Sequence, residues 1–201
     1  MQDAYVLGVL ATRELSAPGG RPVTVSLLGL VGSPNAGGRS STALQAFLDA
    51  TGAPSTVVEL GRAPDPEDLQ RAVEAADGVV FATPTYRARS SGLIKAFLEN
   101  TQRGAAGEQR APLRGKATAI LHTGNATEHF LAVDDLRSIL AGFFAAQVLS
   151  PGLFLSGDHF DPDGGLAAGS LDLVAAHGRA FGEFTAAVRG APAVTALAPL
   201  L

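Results

Sequence analysis

The sequence contains no cysteine and no tryptophan, and it has only one methionine and two tyrosines. Without cysteine the chain cannot form a disulfide framework, a thiolate metal site or a thiol nucleophile. Its four histidines, at positions 122, 129, 159 and 177, lack the spacing of metal ligands, so no zinc site is expected. Any redox chemistry therefore requires a bound cofactor.

The chain also has no large excess of positive or of negative side chains. Fifteen Lys and Arg residues against nineteen Asp and Glu residues give a formal charge of −4, with no basic stripe or acidic block. A nucleic-acid partner is therefore not expected. The apolar run at residues 4–11 is too short to span a bilayer and has no basic segment before it, so no membrane anchor or signal peptide is expected. The sequence thus predicts a cytoplasmic protein.

Short apolar runs alternate with segments of helical periodicity along the chain. The runs predict strands at residues 23–31, 55–60, 77–83 and 116–121, and a broken fifth strand at 147–155. Helices are predicted at about residues 40–51, 66–76, 91–101, 133–143 and 171–188. Asp65 followed by Pro66 supplies an N-cap and a first-turn proline for the second helix.

This alternation predicts an α/β fold, because parallel neighbours in a sheet need a crossover helix. We expect a doubly wound, five-stranded parallel sheet with the flavodoxin-like order 2-1-3-4-5. The predicted flavodoxin-like, FMN-binding domain covers residues 22–190, between an N-terminal extension (1–21) and an apolar C-terminal tail (191–201). Ligands of such sheets bind beyond the carboxyl ends of the strands, so the loops after strands one, three and four are the candidates for a site.

The loop after the first strand, at residues 32–42, is rich in glycine and serine and leads into a helix. Free backbone N–H groups and the helix dipole favour an anion there, while serine hydroxyls and Arg39 add donors. The loop lacks both the Walker ending and the GxGxxG pattern, so a terminal monophosphate such as that of FMN suits it better. The alternative is that these residues only form a turn and cap the helix.

The loop after the third strand could hold a planar ring. Backbone N–H groups after Pro84 can bond a polar ring edge, and Tyr86 offers an aromatic surface. Arg87 and Arg89 suit an anionic flavin or a nicotinamide phosphate. The loop after the fourth strand, at residues 122–127, carries Thr and Asn side chains that can bond a pyrimidine-like edge. In the alternative, both loops are purely structural turns.

Three stretches together resemble the NAD(P)H-dependent FMN reductase family, in particular the flavin reductase components of two-component alkanesulfonate monooxygenases. They are GSPNAGGRSS at 32–41, ATPTYRARSSGLIKAFLEN at 82–100 and GKATAILHTGNATEHFLAVDDLRSILA at 115–141. The resemblance implies that the FMN phosphate is held by Ser33, Arg39, Ser40 and Ser41. It also implies that the flavin ring is lined by Pro84, Thr85, Tyr86 and Arg87 and completed at its edge by Thr123, Gly124 and Asn125. Relatives have a second glycine where this chain has Asn125.

The resemblance further implies an NAD(P)H:flavin oxidoreductase that uses FMN with NADPH or NADH. Hydride then passes from nicotinamide C4 to flavin N5, and reduced flavin or its electrons reach a partner such as a flavin-dependent monooxygenase. No acid–base residue is needed, so His122, His129, Asp134 and Asp135 are expected to be structural or at the surface. The alternatives are an FMN-containing quinone, azo-dye or chromate reductase of the same fold, a flavodoxin-type electron carrier, and a non-catalytic flavin-binding module.

The sequence of the predicted fourth helix bears on whether FMN is retained or released. Relatives have an extra aromatic residue after Ala-Val-Asp, whereas here Asp134 continues directly into Asp135. Because an extra residue makes a π-bulge, its absence predicts an unbroken α-helix. An unbroken helix removes one device for releasing flavin, and we therefore expect FMN to be retained as a prosthetic group.

A homodimer or homotetramer is also expected. Four phenylalanines offer more apolar surface than one face of a sheet can cover, and symmetric association is the usual way to bury it. The predicted contacts involve the helices that begin near Ser91 and Glu128. The phenylalanines are Phe97, Phe130, Phe143 and Phe144.

Overall fold

The apolar runs form a parallel sheet. The computed structural model describes residues 24–199 of the chain. The proposed N-terminal extension, Val23 at the start of the first predicted strand, and the last two residues of the tail lie outside this range. The strands are β1 (Leu27–Val31), β2 (Ser55–Glu59), β3 (Gly78–Pro84), β4 (Ala117–Thr123), β5 (Gln147–Val148) and β6 (Leu153–Leu155). Every residue of β1 is buried, as its uninterrupted apolar sequence predicts.

The strand order is β2-β1-β3-β4-β5, with β6 also paired to β4, and all pairs are parallel. The predicted flavodoxin-like order is therefore confirmed. The broken fifth strand corresponds to β5 and β6, which pair with the two ends of β4. Pro151 lies between them and has no N–H to donate to a sheet, which is consistent with the interruption.

The helices begin and end at recognisable signals. Asp65 caps the second helix by accepting hydrogen bonds from two backbone N–H groups, and Ser91 caps the third by accepting one from the N–H of Ile94. Both ends match the sequence. The helices are α1 (Arg39–Asp49), α2 (Pro66–Ala75), α3 (Gly92–Glu99), α4 (Val133–Ser138), α5 (Ala168–Arg189) and α6 (Pro192–Thr195), with 3₁₀ turns at Leu60–Arg62, Thr127–Ala132 and Gly157–His159.

Two layers of helices cover the sheet. Helices α1 and α5 bury Leu44, Phe47 and Phe181 against one face, and α2, α3 and α4 pack on the other. The rings of Phe47 and Phe181 lie 5.8 Å apart between α1 and α5. This arrangement leaves the carboxyl edge of the sheet open, so that the loops there can take up a ligand.

The contact between α1 and α5 depends on Gly178. A Cβ at Gly178 would overlap the backbone carbonyl of Phe47. Gly178→Ala should therefore lower the free energy of unfolding by about 1 to 2 kcal/mol, because the cost of overpacking exceeds the gain in helix propensity. Gly169→Ala, in the same helix with open space around its Cβ, is the control and should be neutral or stabilising. Urea unfolding of both variants measures the difference, and equal stabilities would contradict the prediction.

The fourth helical region differs from the regular helix that its sequence predicts. It begins as the 3₁₀ turn Thr127–Ala132, continues as α4, and ends in a π-helical segment over Ile139–Phe143. The N–H of Phe144 bonds the carbonyl of Ile139, five residues back. The prediction of an unbroken α-helix is therefore wrong, and the argument for retained FMN that rested on it loses its premise.

The burial of the phenylalanines explains the widened turn. Leu136, Leu140 and Phe144 are buried at steps of four residues, whereas Phe143, which fits a three-residue step, is 48% exposed. A wider helix brings Phe144 rather than Phe143 onto the core. Phe97 and Phe144 are therefore covered within the chain, contrary to the premise of the oligomer prediction, and only Phe130 and Phe143 remain exposed.

Among residues 24–199 no helix is both long enough and apolar enough to traverse a bilayer. The same part of the chain contains no group of three His, Asp or Glu side chains placed to hold a metal ion.

Candidate functional site

Three loops meet at the carboxyl edge of the sheet. In the register of the strands, Val31 pairs with Ala82, and Pro84 pairs with Thr123, so the loops after β1, β3 and β4 leave the sheet side by side. Thr85 donates its N–H to the carbonyl of Thr123 at 2.7 Å. The three segments proposed from the sequence are thus neighbours in space.

The first loop is shaped to receive an anion. Gly37 has φ +67°, a left-handed conformation that glycine adopts without strain, and it turns the chain into α1. Helix α1 begins at Arg39 without a side-chain cap, so the first-turn N–H groups have no side-chain acceptor. Ser33 is buried, and its hydroxyl donates to the carbonyl of Asn35 within the loop.

Arg39 and Ser40 are directed toward the third loop. An Arg39 Nη1 donates to Asn125 Oδ1 at 3.2 Å, and its guanidinium lies 5.3 Å from the centre of the Phe160 ring. The hydroxyls of Ser40 and Thr123 are hydrogen-bonded at 2.7 Å in a buried contact. Asn125 therefore holds the arginine that the sequence assigns to the phosphate.

Ser41 is directed to a residue that the sequence did not single out. Its hydroxyl donates to Glu59 Oε1 at 3.1 Å, and the N–H of Gly37 donates to the same oxygen at 3.0 Å. The other carboxylate oxygen accepts from Arg62 Nε at 2.7 Å. The hydrogen bond from Arg62, followed by that from Gly37, holds the pKa of Glu59 below its ordinary value. The end of β2 thus places a carboxylate beside the glycine-rich loop.

The second loop forms a tight hairpin. Tyr86 and Arg89 exchange backbone hydrogen bonds of 2.9 and 3.1 Å across a turn whose central residues, Arg87 and Ala88, have φ of 51° and 59°. This is the type I′ pattern, which costs strain when neither central residue is glycine. From the sequence, the N–H groups after Pro84 are candidate donors to a ring edge. In the structure the N–H groups of Thr85 and Tyr86 already donate to the carbonyls of Thr123 and Arg89. The ring of Tyr86 is half exposed.

His122 and Asp135 form hydrogen bonds to the residues at the two ends of this hairpin. His122 is fully buried on β4, with Nδ1 3.0 Å from Thr85 Oγ1 and with Nε2 lacking a hydrogen-bond partner among the described residues. Asp135 accepts from both the N–H and the hydroxyl of Ser90, at 2.8 and 2.9 Å. The two residues therefore fix both ends of the hairpin, which is consistent with the structural role expected for them, although their spacing in the sequence does not reveal these partners.

Burial also sets the protonation of His122. Desolvation lowers its pKa to about 4, and Asp135, with Oδ1 3.9 Å from Nε2, opposes the shift only weakly. The imidazole is therefore neutral at physiological pH. A carboxylate beside Nε2 favours the tautomer with the proton on Nε2, so that Nδ1 accepts from the Thr85 hydroxyl. Thr85 then presents oxygen lone pairs, rather than a proton, to a ligand.

The remaining assigned residues lie around these contacts. Pro84 ends β3, and Gly124 donates its N–H to the carbonyl of Leu155 at 2.9 Å. His129 and Asp134 are exposed, as expected. A cleft of about 640 Å³, lined in part by Ser90, Asp135 and Phe143, adjoins the second loop.

Comparison with known proteins identifies the family. A model of the family described as NADPH-dependent FMN reductase matches residues 25–161. The chain belongs to this family. Two FMN reductases are similar in sequence: the NADH-dependent FMN reductase SfnF of Pseudomonas putida, 33% identical over 97 residues, and the FMN reductase (NADPH) of Escherichia coli strain K12, 36% identical over 78 residues. These alignments cover 47% and 38% of this chain.

Each comparison has a limited extent. The chain spans about half or less of the FMN reductases it matches, 48% of the P. putida protein and 37% of the E. coli protein. A crystal structure of an NADH:FMN oxidoreductase in its apo form superposes with a TM-score of 0.65 at 22% identity, over 80% of this chain and 90% of the other. That likeness shows the flavodoxin-like fold of this FMN reductase family member.

Proposed function

We propose that the protein is an NAD(P)H-dependent FMN reductase. The observation that supports this most is the uncapped start of α1 after a glycine loop, with Arg39 in its first turn, at the same edge of the sheet as the hairpin of Tyr86. A phosphate fits the first feature because the helix end offers free N–H donors, and a flat ring fits the second because an aromatic side chain is exposed beside it. Family membership makes FMN the ligand that combines both.

The residues of the chain bind and orient the two substrates. The first turn of α1 and Arg39 would hold the phosphate, assisted by Ser33, Ser40 and Ser41. The ring would lie against Pro84, Tyr86 and Arg87, where Thr85 offers an acceptor oxygen and Thr123, Gly124 and Asn125 form the adjoining edge. Bound FMN supplies the hydride chemistry, from nicotinamide C4 of NADPH or NADH to flavin N5. The exposed Arg87 and Arg89 are the cations available to the nicotinamide cofactor.

An absorbance experiment tests this function. Purified protein is mixed with FMN and with NADH or NADPH under air, and oxidation of the reduced nicotinamide is followed at catalytic protein concentrations. A reductase consumes many equivalents of one or both nicotinamides, and the ratio of their rates gives the preference. FMN binding without turnover would identify an electron carrier or a binding module and overturn the proposal.

The acceptor is settled by the same assay. Replacement of free FMN by quinone, azo-dye or chromate acceptors distinguishes the proposed activity from the related reductases. A flavin-dependent monooxygenase as the final partner rests on the resemblance to flavin reductase components and is tested by coupling both enzymes in one reaction. Faster reduction of a quinone than of added FMN would favour the acceptor reductase.

We also propose a homodimer or homotetramer. The exposed apolar side chains of Phe130, Leu131, Ile139 and Phe143 all belong to the fourth helical region. Burial of such a patch between copies would stabilise an assembly, since exposed apolar patches commonly mark interfaces. Light scattering at micromolar concentration is expected to give a multiple of 20.4 kDa. A single-chain mass would exclude the assembly.

A further inference from the structure

Glu59 occupies two of the donors on which an anion in the first loop would depend. A single oxygen, Oε1, accepts from the Gly37 N–H and from the Ser41 hydroxyl, at 3.0 and 3.1 Å. Ser41 is in the first turn of α1, and Gly37 lies two residues before the helix, next to its N-cap Gly38. The Glu59 carboxylate is therefore in direct contact with the first loop and with the first turn of α1.

The carboxylate is a fixed negative charge. Its side chain is 16% exposed, and Arg62, its only ion-pair partner among residues 24–199, is 73% exposed. The hydrogen bonds from Arg62 and Gly37 favour the ionised form and hold the pKa of Glu59 below its ordinary value. Arg62 Nε donates to Oε2, whereas Oε1, the oxygen on the loop side, accepts from the neutral donors of Gly37 and Ser41.

A phosphate in the loop would lie near this charge. An oxyanion bonded to the backbone N–H of Ser41, in the first turn of α1, shares a donor residue with Glu59 Oε1, which accepts from the Ser41 hydroxyl. Two hydrogen bonds of ordinary length place the two anions about 5 Å apart. At that separation near a protein surface, like charges repel by an amount that shifts an equilibrium constant by several-fold or more.

We propose that Glu59 is a specificity-determining residue that weakens the binding of the FMN phosphate and thereby reduces the preference for FMN over riboflavin. This inference rests on the proposed function, because it needs the phosphate to occupy the first loop. The predicted effect of Glu59 on FMN binding is opposite to that of a residue that anchors the phosphate. If Glu59 only held the loop in shape, its loss would weaken FMN binding.

The isosteric substitution Glu59→Gln separates these roles. The amide oxygen of glutamine can still accept from Gly37 and Ser41, so the loop keeps these two hydrogen bonds, while the negative charge and the hydrogen bond from Arg62 are lost. Removal of the repulsion should tighten FMN binding about three- to tenfold and leave riboflavin binding unchanged. Arg62→Gln is the matched variant. It leaves the carboxylate without its cation, so FMN binding should weaken while riboflavin binding stays the same.

Titration of flavin fluorescence with each protein measures both dissociation constants without any turnover. The ratio of FMN to riboflavin affinity should rise in Glu59→Gln, fall in Arg62→Gln, and converge on the parent value as salt screens the charges. An unchanged or lower ratio in Glu59→Gln, with FMN still bound by the parent chain, overturns this inference alone. Failure of the parent chain to bind FMN overturns the proposed function as well.

Discussion

Arg39→Ala is expected to weaken FMN binding tenfold or more and to leave riboflavin binding nearly unchanged. A hydrogen bond to a charged group contributes about 1.5 to 3 kcal/mol, or roughly a factor of 10 to 150. Arg39 stands in the first turn of α1, where it can reach the phosphate that riboflavin lacks. Its side chain is exposed, so the effect should shrink as salt is added. Isothermal titration with both flavins measures it.

Asn125→Ala is the matched control for this prediction. Arg39 donates to Asn125 Oδ1, so its removal also frees the third loop. Asn125→Ala breaks that same bond but keeps the positive charge. Asn125 is also assigned to the ring edge, which both flavins share, so Asn125→Ala should leave the ratio of FMN to riboflavin affinity unchanged. A fall in this ratio in Arg39→Ala, but not in Asn125→Ala, assigns the effect to the phosphate contact. Equal losses for both flavins would show that Arg39 only organises the loops.

The stability of the protein should fall as the pH is lowered from about 6.5 to about 4, and His122 should account for much of this fall. Burial lowers the pKa of His122 from 6.5 to about 4 in the folded chain. The unfolded chain therefore binds a proton on this residue over a pH range in which the native chain does not. By linkage, this difference lowers the free energy of unfolding by about 3 kcal/mol across that range.

His122→Asn should flatten the pH dependence between these limits, since asparagine does not titrate. The comparison is between slopes of stability against pH, so a change in absolute stability does not affect it. His129→Asn replaces an exposed histidine and should keep the slope of the parent chain. Urea unfolding at a series of pH values gives the slopes. Equal slopes for His122→Asn and the parent chain would show that the pKa of His122 is not lowered in the native state.

Much of the fold follows from patterns that are local in the sequence. Buried strands such as β1 are uninterrupted apolar runs, and the start of α2 is marked by Asp65 and Pro66, whose effects act over a few residues. The alternation of strand and helix then limits the topology. That the three candidate loops lie side by side could be predicted for the same reason, because parallel strands bring their carboxyl ends to one edge.

The parts that could not be predicted depend on contacts between segments far apart in the chain. Glu59 lies 22 residues from Gly37, and Asp135 lies 45 residues from Ser90, so no spacing in the sequence relates them. The π-helical segment was missed for a different reason. Steps of three and four residues are compatible with either Phe143 or Phe144 on the core, and only packing against the sheet decides between them.

Thr123 forms hydrogen bonds to two different loops. Its hydroxyl is hydrogen-bonded to the hydroxyl of Ser40, and its carbonyl accepts from the N–H of Thr85. The loop assigned to the phosphate and the loop assigned to the ring are thereby fixed to the same residue of β4. Segments already held together lose little conformational freedom when a ligand arrives, so less ordering entropy opposes association. Thr123 thus links the loop assigned to the phosphate with the loop assigned to the ring, and a change in the position of one loop is coupled through it to the other.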